Sequence, residues 1–462
     1  MSTGVLEGKR TRGPGLRVPA HAVLATYAVL LLALPVNAVF AGFSGSLTPA
    51  RLIAAGCLLW WLVARAGGQL GLHMRPDPVR RTLLVVPAVL VATHMLALLA
   101  GVPVDRLGVA DRFITLLALA TGGALLCCDG LGSLRGVQLV FGAIVLGATV
   151  SSLTAVVRYV SGFDLRGLTA VPGLRLDPLD YANQVRGGVT RGLGMANHPI
   201  ELAAVCAVAL PLALHLLRYC GRWPLWWACV VLLVIGPWVS VSRTGLLGLL
   251  VVGIALLPRV GVVRWAAGGL IVGLGVVIAG LSNLTLLKAL QGSVASSGAD
   301  DSIVHRLGDY SFVFNLLLER PLSGQGLGTY LAPPQPNLDN IYLLTTVESG
   351  LPGLLALSAL LLVPAVVAAR VCRGGVRPPT GLLPSRERLA LVDSGWAVVT
   401  SLAVCVAAGL TFDSMRFSQF QSLALLLVGL AGVVARVDRE MRASSAGNGA
   451  LHDARGWRWT RG

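Results

Sequence analysis

Apolar runs long enough to cross a lipid bilayer dominate this sequence, and they decide its fold class. A transmembrane helix needs about 20 mostly apolar residues. The charged residues make up only 13% of the chain, against about 25% in soluble domains. The sequence therefore predicts an all-α, polytopic transmembrane helical bundle with about 12 membrane-spanning helices. The predicted spans are 18–40, 51–66, 82–101, 112–128, 137–157, 199–217, 224–241, 245–258, 265–283, 341–369, 392–411 and 418–435.

The distribution of arginines predicts the orientation in the membrane. Basic residues are concentrated in alternate connecting segments and in both terminal tails, as the positive-inside rule describes for cytoplasmic segments. We therefore expect a multi-pass protein of the cell (plasma or inner) membrane with both termini in the cytoplasm. The short external turns hold only Arg51, Arg106, Arg112, Arg243 and Arg416.

The net charge of +16 would also suit a nucleic-acid-binding protein. Here the arginines are divided between apolar runs, and this pattern indicates a lipid bilayer as the partner and no nucleic acid.

Two external loops, near 158–198 and 284–340, are long enough to suggest a functional part, since loops beyond about 12–15 residues are uncommon. The basic tail 436–462 is predicted to be disordered and cytoplasmic.

The first external loop ends on a polar motif that opens a helix. Pro199 suits the first helical turn, and Asn197 is expected to cap it. His198 and Glu201 are three residues apart and can share one side of the helix entrance. The pair forms either a solvated helix end or a polar cluster at the mouth of a cavity. Because Glu201 lies inside an apolar run, it is expected to face the bundle interior.

The turn between the seventh and eighth runs places Arg243 on the external side, against the general charge bias. Its guanidinium could extend to lipid headgroups. Alternatively it could bind phosphate oxygens two at a time, with the hydroxyl of Ser242 as an additional donor. We favour the phosphate-binding interpretation.

The second external loop contains a predicted helix from Ile303 to Glu319, which could lie in the membrane interface. Arg306 lies near its start, and Pro321 after Arg320 ends it. Its apolar side is predicted at Ile303, Leu307, Tyr310, Phe314 and Leu317. The glycines at 324, 326 and 328 that follow suggest either close backbone approach to another group or a flexible loop.

The second loop closes with Asp339 and Asn340, where the chain re-enters the membrane. Asp339 could cap the next helix or accept a proton from a sugar hydroxyl. Glu348 lies deeper in the same apolar run, and an intramembrane acid is by default a functional candidate.

The order of these motifs resembles the O-antigen ligase and O-antigen polymerase superfamily. The resemblance is carried by Gly194 to Pro199, Ser242-Arg243, Arg306, Pro321 to Gly326, Asp339-Asn340, and Glu348 to Gly353. It implies a glycosyltransferase without metal or cofactor. Such an enzyme moves a glycan from a polyprenyl (undecaprenyl) diphosphate carrier to a saccharide or surface acceptor on the extracytoplasmic face.

The resemblance also implies roles for individual residues. Arg243 and Arg306 would hold the donor diphosphate, and Asp339 stands where the family has a histidine that acts on the acceptor hydroxyl. Because of this departure, His198, Glu201 and Glu348 remain alternative bases. The residues with a supporting part are Ser242, Arg191, Arg320, Asn340 and Glu348.

Under this interpretation the chain divides into a basic tail (1–17), N-terminal helices with the first loop (18–198) and a ligase-like catalytic region (199–369) that includes loop 284–340. The last helices (370–435) and the basic tail follow. The main alternative is a polysaccharide or lipid-linked-oligosaccharide transporter or flippase, which would also have many helices. Transporters usually place polar sites near the midplane on broken helices and show repeat symmetry, whereas here charge is concentrated at the external face.

Overall fold

The computed structural model describes residues 18–42, 47–67, 72–73, 76–169, 172–178, 185–186, 189–259, 301–333, 335–374 and 385–456. Of these, the side chains of residues 185, 186, 189, 301–307 and 445–456 lie outside the described part. Within it the chain is almost entirely helical. The helices are α1 (Ala20–Ala33), α2 (Pro49–Gly67), α3 (Pro78–Leu99), α4 (Val104–Gly130), α5 (Leu134–Ser161), α6 (Pro199–Tyr219), α7 (Trp223–Val239), α8 (Arg243–Leu256), α9 (Asp301–Glu319), α10 (Ile341–Gly374), α11 (Arg386–Gly409) and α12 (Ser418–Gly456).

Eight of these helices are long and apolar enough to cross a membrane, and α1, α7 and α8 are shorter apolar helices. This confirms an all-α, polytopic fold. The count of about 12 spans stays a prediction, because the predicted span 265–283 lies outside the described residues.

The centre of the bundle is formed by α12 and α6. In α12, 94% of the apolar stretch is buried inside the protein, and in α6 83%, whereas the value for α2 at the periphery is 28%. Both central helices begin at the same end of the bundle. We call this end, where the connections α1–α2, α5–α6, α7–α8, α9–α10 and α11–α12 lie, the loop end.

The opposite end, which we call the basic end, is held together by buried ion pairs. Asp129 accepts hydrogen bonds from Arg80 and from the indole of Trp61. Asp393 contacts His215, Arg218 and Arg259. Arg80, Arg218 and Arg259 are each paired with one of these carboxylates, and such pairing offsets the cost of taking charge out of water.

At the basic end α12 runs past the predicted last span and continues to Gly456, into the segment 436–462 for which disorder was predicted. Arg388 and Arg442 both contact Asp438, and Arg439 contacts Asp77. These ion pairs tie the helix to α11 and to the start of α3, which composition alone could not show.

Short strands fold the first long loop onto the α1–α2 connection at the loop end. Strand β1 (Ala38–Phe40) pairs antiparallel with β2 (Leu174–Leu176), and β3 (Val185–Arg186) pairs with β4 (Val189–Thr190). The Asn37 side chain also donates to the Asp177 carbonyl at 2.6 Å. The loop therefore forms one wall of the loop end.

The interfacial helix was predicted from 303 to 319, and α9 spans Asp301–Glu319. Val313 is buried against the bundle, while Tyr310, Phe314 and Leu318 are exposed on one side. Leu317, which was predicted on the apolar side with Tyr310 and Phe314, is half-buried. An exposed apolar side is the arrangement expected of a helix lying in the membrane interface.

The glycine-rich segment after α9 closes a break in α10. Gly350 has φ 61° and interrupts the helix. The freed backbone groups are satisfied by this segment: the amides of Gln325 and Gly326 donate to the carbonyls of Val347 and Glu348. A Cβ on Gly324 would lie 2.4 Å from the Glu348 backbone. The predicted close approach is therefore confirmed, and the group approached is the protein's own helix.

Candidate functional site

The start of α6 places a neutral histidine at the loop end. His198, and not the predicted Asn197, is the N-cap: its Nδ1 accepts from the Ile200 amide at 3.1 Å. Burial lowers the pKa of His198 to about 4, and the charge of Arg191 contributes to the lowering. The imidazole is therefore uncharged at neutral pH and can accept a proton only weakly.

Glu201, one turn into α6, joins the two central helices. One carboxylate oxygen accepts from the amides of Gln419 and Phe420 in the first turn of α12, and the other accepts from the Asn197 amide. The side chain is fully buried. A carboxylate at a helix N-terminus satisfies unpaired amides and is favoured by the helix dipole. Glu201 therefore caps backbone amides at the start of α6 and of α12.

A side-chain hydrogen bond connects the turn between α7 and α8 to the first long loop. The Arg191 Nε donates to the Ser240 carbonyl at 2.9 Å. Val241 has φ 49°, a left-handed conformation that is strained for a β-branched residue. Arg243 follows as the first residue of α8. The Ser242 hydroxyl is 2% exposed and has no hydrogen-bond partner among the described residues.

Glu348, next to the break in α10, holds an arginine from a distant segment. It contacts Arg416, and it also accepts from the Tyr330 amide. The same guanidinium donates to the Tyr330 carbonyl at 2.7 Å. A guanidinium fixed by two acceptors is held in place before any ligand arrives.

Asp339 does not cap α10. Asn340 is the capping residue instead: its Oδ1 accepts hydrogen bonds from the amides of Tyr342 and Leu343. Asp339 is exposed at the loop end. Burial raises the pKa of Asp413 to about 6; Arg416 opposes the shift, and the charges of Asp339 and Glu348 add to it. Asp339 and Asp413 therefore lie close enough to repel one another.

A cavity of about 420 Å³ opens at the loop end and is lined by three arginines, Arg51, Arg112 and Arg416, with Asn197 and Asp177. Arg51 and Arg112 lie close enough to repel one another. Cationic side chains that converge on a cavity favour an anionic ligand.

The sequence interpretation missed Arg51, Arg112, Arg416 and Asp413. A signal was available, since these arginines share with Arg243 an external position against the charge bias. The short turn between α11 and α12 carries Asp413 and Arg416 within four residues, and such pairing in an external turn was a further signal.

Of the predicted site residues whose side chains the structure describes, none lines this cavity, and Glu348 is connected to it only through Arg416. The side chain of Arg306 lies outside the described part, so its convergence with Arg243 stays a prediction. Arg320 donates to the Ala100 carbonyl in the α3–α4 turn. Within the described residues, no group of three or more His, Cys, Asp or Glu side chains could hold a metal ion.

The helical architecture and the apolar spans define a multi-pass membrane protein with a polar, arginine-lined loop end. A family model described as O-antigen ligase matches residues 227–358. The match confirms the predicted resemblance and supports membership of the O-antigen ligase superfamily. It covers Arg243, Arg306, Asp339 and Glu348 and ends before the α11–α12 turn. No curated protein matches the chain.

Proposed function

We propose that the protein is a membrane glycosyltransferase of the O-antigen ligase or polymerase type. It transfers a glycan from a polyprenyl-diphosphate carrier to a saccharide or surface acceptor on the extracytoplasmic face, without a metal ion. The observation that carries the proposal is the arginine-lined cavity at the loop end, whose Arg416 is held by Glu348 of the family-matched region.

The donor diphosphate is the leaving group, and its developing negative charge has to be stabilised. Arg243 and Arg306 contact it, as the family resemblance implies, and Arg416 adds a third guanidinium held by Glu348. Preorganised cations lower the barrier because they need no rearrangement as charge develops. The polyprenyl chain lies along the lipid-facing surface of the helices.

The acceptor hydroxyl oxygen attacks the anomeric carbon while the bond from that carbon to the diphosphate oxygen breaks. The electron pair leaves with the diphosphate, and the hydroxyl proton passes to a carboxylate. Asp339 is the favoured base, since it is exposed and Asn340 performs the capping. Asp413 beside it disfavours a second negative charge and so raises the proton affinity of the pair.

The other candidate bases are less suited to accept a proton. Glu201 uses both oxygens to cap backbone amides. Glu348 is engaged by Arg416. The Nδ1 of His198 accepts from the Ile200 amide. We assign Glu201 and Glu348 as positioning residues and His198 as a polar wall of the acceptor side.

The transporter alternative receives no support from the broken helix α10. Its break is filled by the 321–326 segment, and it is this segment that satisfies the backbone groups freed at the break. In transporters such groups instead coordinate the substrate or ion.

In vitro transfer with purified protein, a defined polyprenyl-diphosphate oligosaccharide and a saccharide acceptor tests the proposal. We expect a glycan product and release of the polyprenyl diphosphate, both unchanged by a chelator such as EDTA. Movement of intact donor across a vesicle bilayer without product would overturn the proposal in favour of a flippase, and loss of activity with EDTA would overturn the metal-independent mechanism.

A further inference from the structure

A second cavity, of about 830 Å³, lies at the basic end, on the opposite side of the bundle from the candidate functional site. It is bordered by α1, α5, α6, α7 and α11. The mechanism proposed above uses none of its residues. Its size exceeds that of the loop-end cavity.

Three arginines, each at the start of a helix, and one carboxylate, Glu387, line this cavity, so its charged residues carry a net positive charge. Arg135 is in the first turn of α5, Arg222 is the N-cap residue of α7, and Arg386 is the first residue of α11. None of the three forms an ion pair with a residue that the structure describes. Arg222 is held in a left-handed conformation with φ 51°, which costs free energy for a non-glycine residue.

One wall of the cavity extends along α5 from Leu134 to Leu146 and is apolar apart from Arg135 and Gln138. At about 1.5 Å per residue, this distance is about 18 Å, close to half of the roughly 30 Å hydrocarbon core of a bilayer. Leu139 and Leu146 are partly exposed, so the wall is open to the surrounding lipid.

Trp226 lines the same cavity and is 7% exposed. Its indole N–H has no hydrogen-bond partner among the described residues. A buried donor without a partner costs free energy, and an acceptor oxygen in the cavity would remove that cost. The neighbouring Trp223 and Trp227 are exposed and pack edge to face, which marks the membrane–water interface at this level.

We propose that this cavity binds one anionic phospholipid of the leaflet at the basic end. The phosphate lies among Arg135, Arg222 and Arg386, and an acyl chain lies along the wall formed by α5. The net positive charge at headgroup depth complements the phosphate, and the wall is about as long as one leaflet. A water-soluble phosphate compound would leave that wall unfilled.

Native mass spectrometry of the full-length protein with added phosphatidylglycerol or phosphatidylcholine tests this. The wild type is expected to retain phosphatidylglycerol and not phosphatidylcholine. A triple variant, Arg135→Gln with Arg222→Gln and Arg386→Gln, should bind it about a hundredfold more weakly, at about fivefold for each arginine near the headgroup. Arg373→Gln, at an exposed arginine of the same end outside the cavity, is the control and should bind like the wild type.

A second variant keeps the charges and fills the wall. A Cβ on Gly142 would lie 3.5 Å from the Trp226 ring, so Gly142→Leu should occupy the acyl position and also reduce phosphatidylglycerol binding. Equal retention by both variants and the wild type would overturn the proposal. Equally tight binding of glycerol phosphate would overturn the lipid assignment. Neither measurement depends on transferase activity.

Discussion

At the scale of single residues, the loop end combines cations and carboxylates that serve different purposes. Glu201 and Asn340 saturate backbone amides at helix starts. Glu348 fixes Arg416. Asp339 is exposed and is not used as a cap, which makes it the residue whose chemistry can be tested most simply.

Asp339→Asn is expected to lower the rate of glycan transfer by about 10²- to 10⁴-fold, the usual contribution of a general base. Protein level and thermal stability should stay unchanged because the side chain is exposed. The measurement is in vitro transfer at saturating donor. Asp105→Asn, which alters an exposed carboxylate in the first turn of α4, should behave like the wild type. Full activity of Asp339→Asn would exclude Asp339 as the base.

Asp413→Asn tests the carboxylate pair through stability. Burial and the charges of Asp339 and Glu348 raise the pKa of Asp413 to about 6. The folded protein therefore holds this proton more tightly than the unfolded chain, and the cost of ionisation develops as the pH rises from about 4 to about 6. The variant should gain about 2–4 °C in Tm at pH 8 and much less at pH 4. An equal gain at both pH values would contradict the assigned pKa.

At the scale of elements, the break in α10 and the 321–326 segment form one unit. The Leu351 amide donates to the Pro321 carbonyl at 2.9 Å, and Gly350 lies with φ 61° directly beside that carbonyl. Because the break lies next to Glu348, it affects the orientation of the carboxylate that holds Arg416. The glycines of this unit are thus needed for packing, and their effect on the site is indirect.

Gly350→Ala should destabilise the protein by about 1–3 kcal/mol and reduce transfer. An added Cβ would lie 2.4 Å from the Pro321 carbonyl oxygen and would require an unfavourable backbone conformation. Thermal unfolding in detergent measures the effect. Gly308→Ala is the matched control, since its Cβ would meet no atom within 4 Å and the residue lies within helix α9. An unchanged Tm for Gly350→Ala would contradict this account of the break.

At the scale of the whole molecule, the bundle has two chemically different ends. The basic end has paired arginines at several helix ends, and the loop end carries the family-matched Arg243, Asp339 and Glu348. The positive-inside rule predicts that the basic end faces the cytoplasm. On this basis the donor lipid, at the loop end, is assigned to the extracytoplasmic leaflet, and the anionic phospholipid, at the basic end, is assigned to the cytoplasmic leaflet.

Cysteine labelling tests the orientation. Gly167 at the loop end and Gly67 at the basic end are both exposed, and a side chain there would meet no atom within 4 Å. In a Cys220→Ser background, a membrane-impermeant maleimide should label Gly167→Cys in intact cells and Gly67→Cys only after permeabilisation. The reverse pattern would place the candidate site in the cytoplasm.

Helix positions were largely predictable because a membrane span needs an apolar run of fixed length. Helices α2, α3 and α5 to α8 begin and end within four residues of the predicted runs, whereas α4 begins eight residues early and the first run, 18–40, is helical only to Ala33. The contacts between distant segments were not predictable. Nothing in the local sequence joins Arg416 to Glu348, or Asp438 to Arg388, because these pairs depend on how the helices pack. The family-matched motifs were therefore recognisable in the sequence, the roles of their residues at the site stay predictions, and the α11–α12 turn was missed.

The central claim is that guanidinium groups at the loop end hold the donor diphosphate. Arg243→Lys and Arg306→Lys, each assayed for transfer from a defined polyprenyl-diphosphate oligosaccharide, test it most directly, since lysine keeps the charge but cannot bind two oxygens with a planar fork. Arg175→Lys, at an exposed arginine of the same end, is the control. We predict that both test variants lose transfer at wild-type protein levels while the control retains it. Normal glycan output from both would contradict the claim.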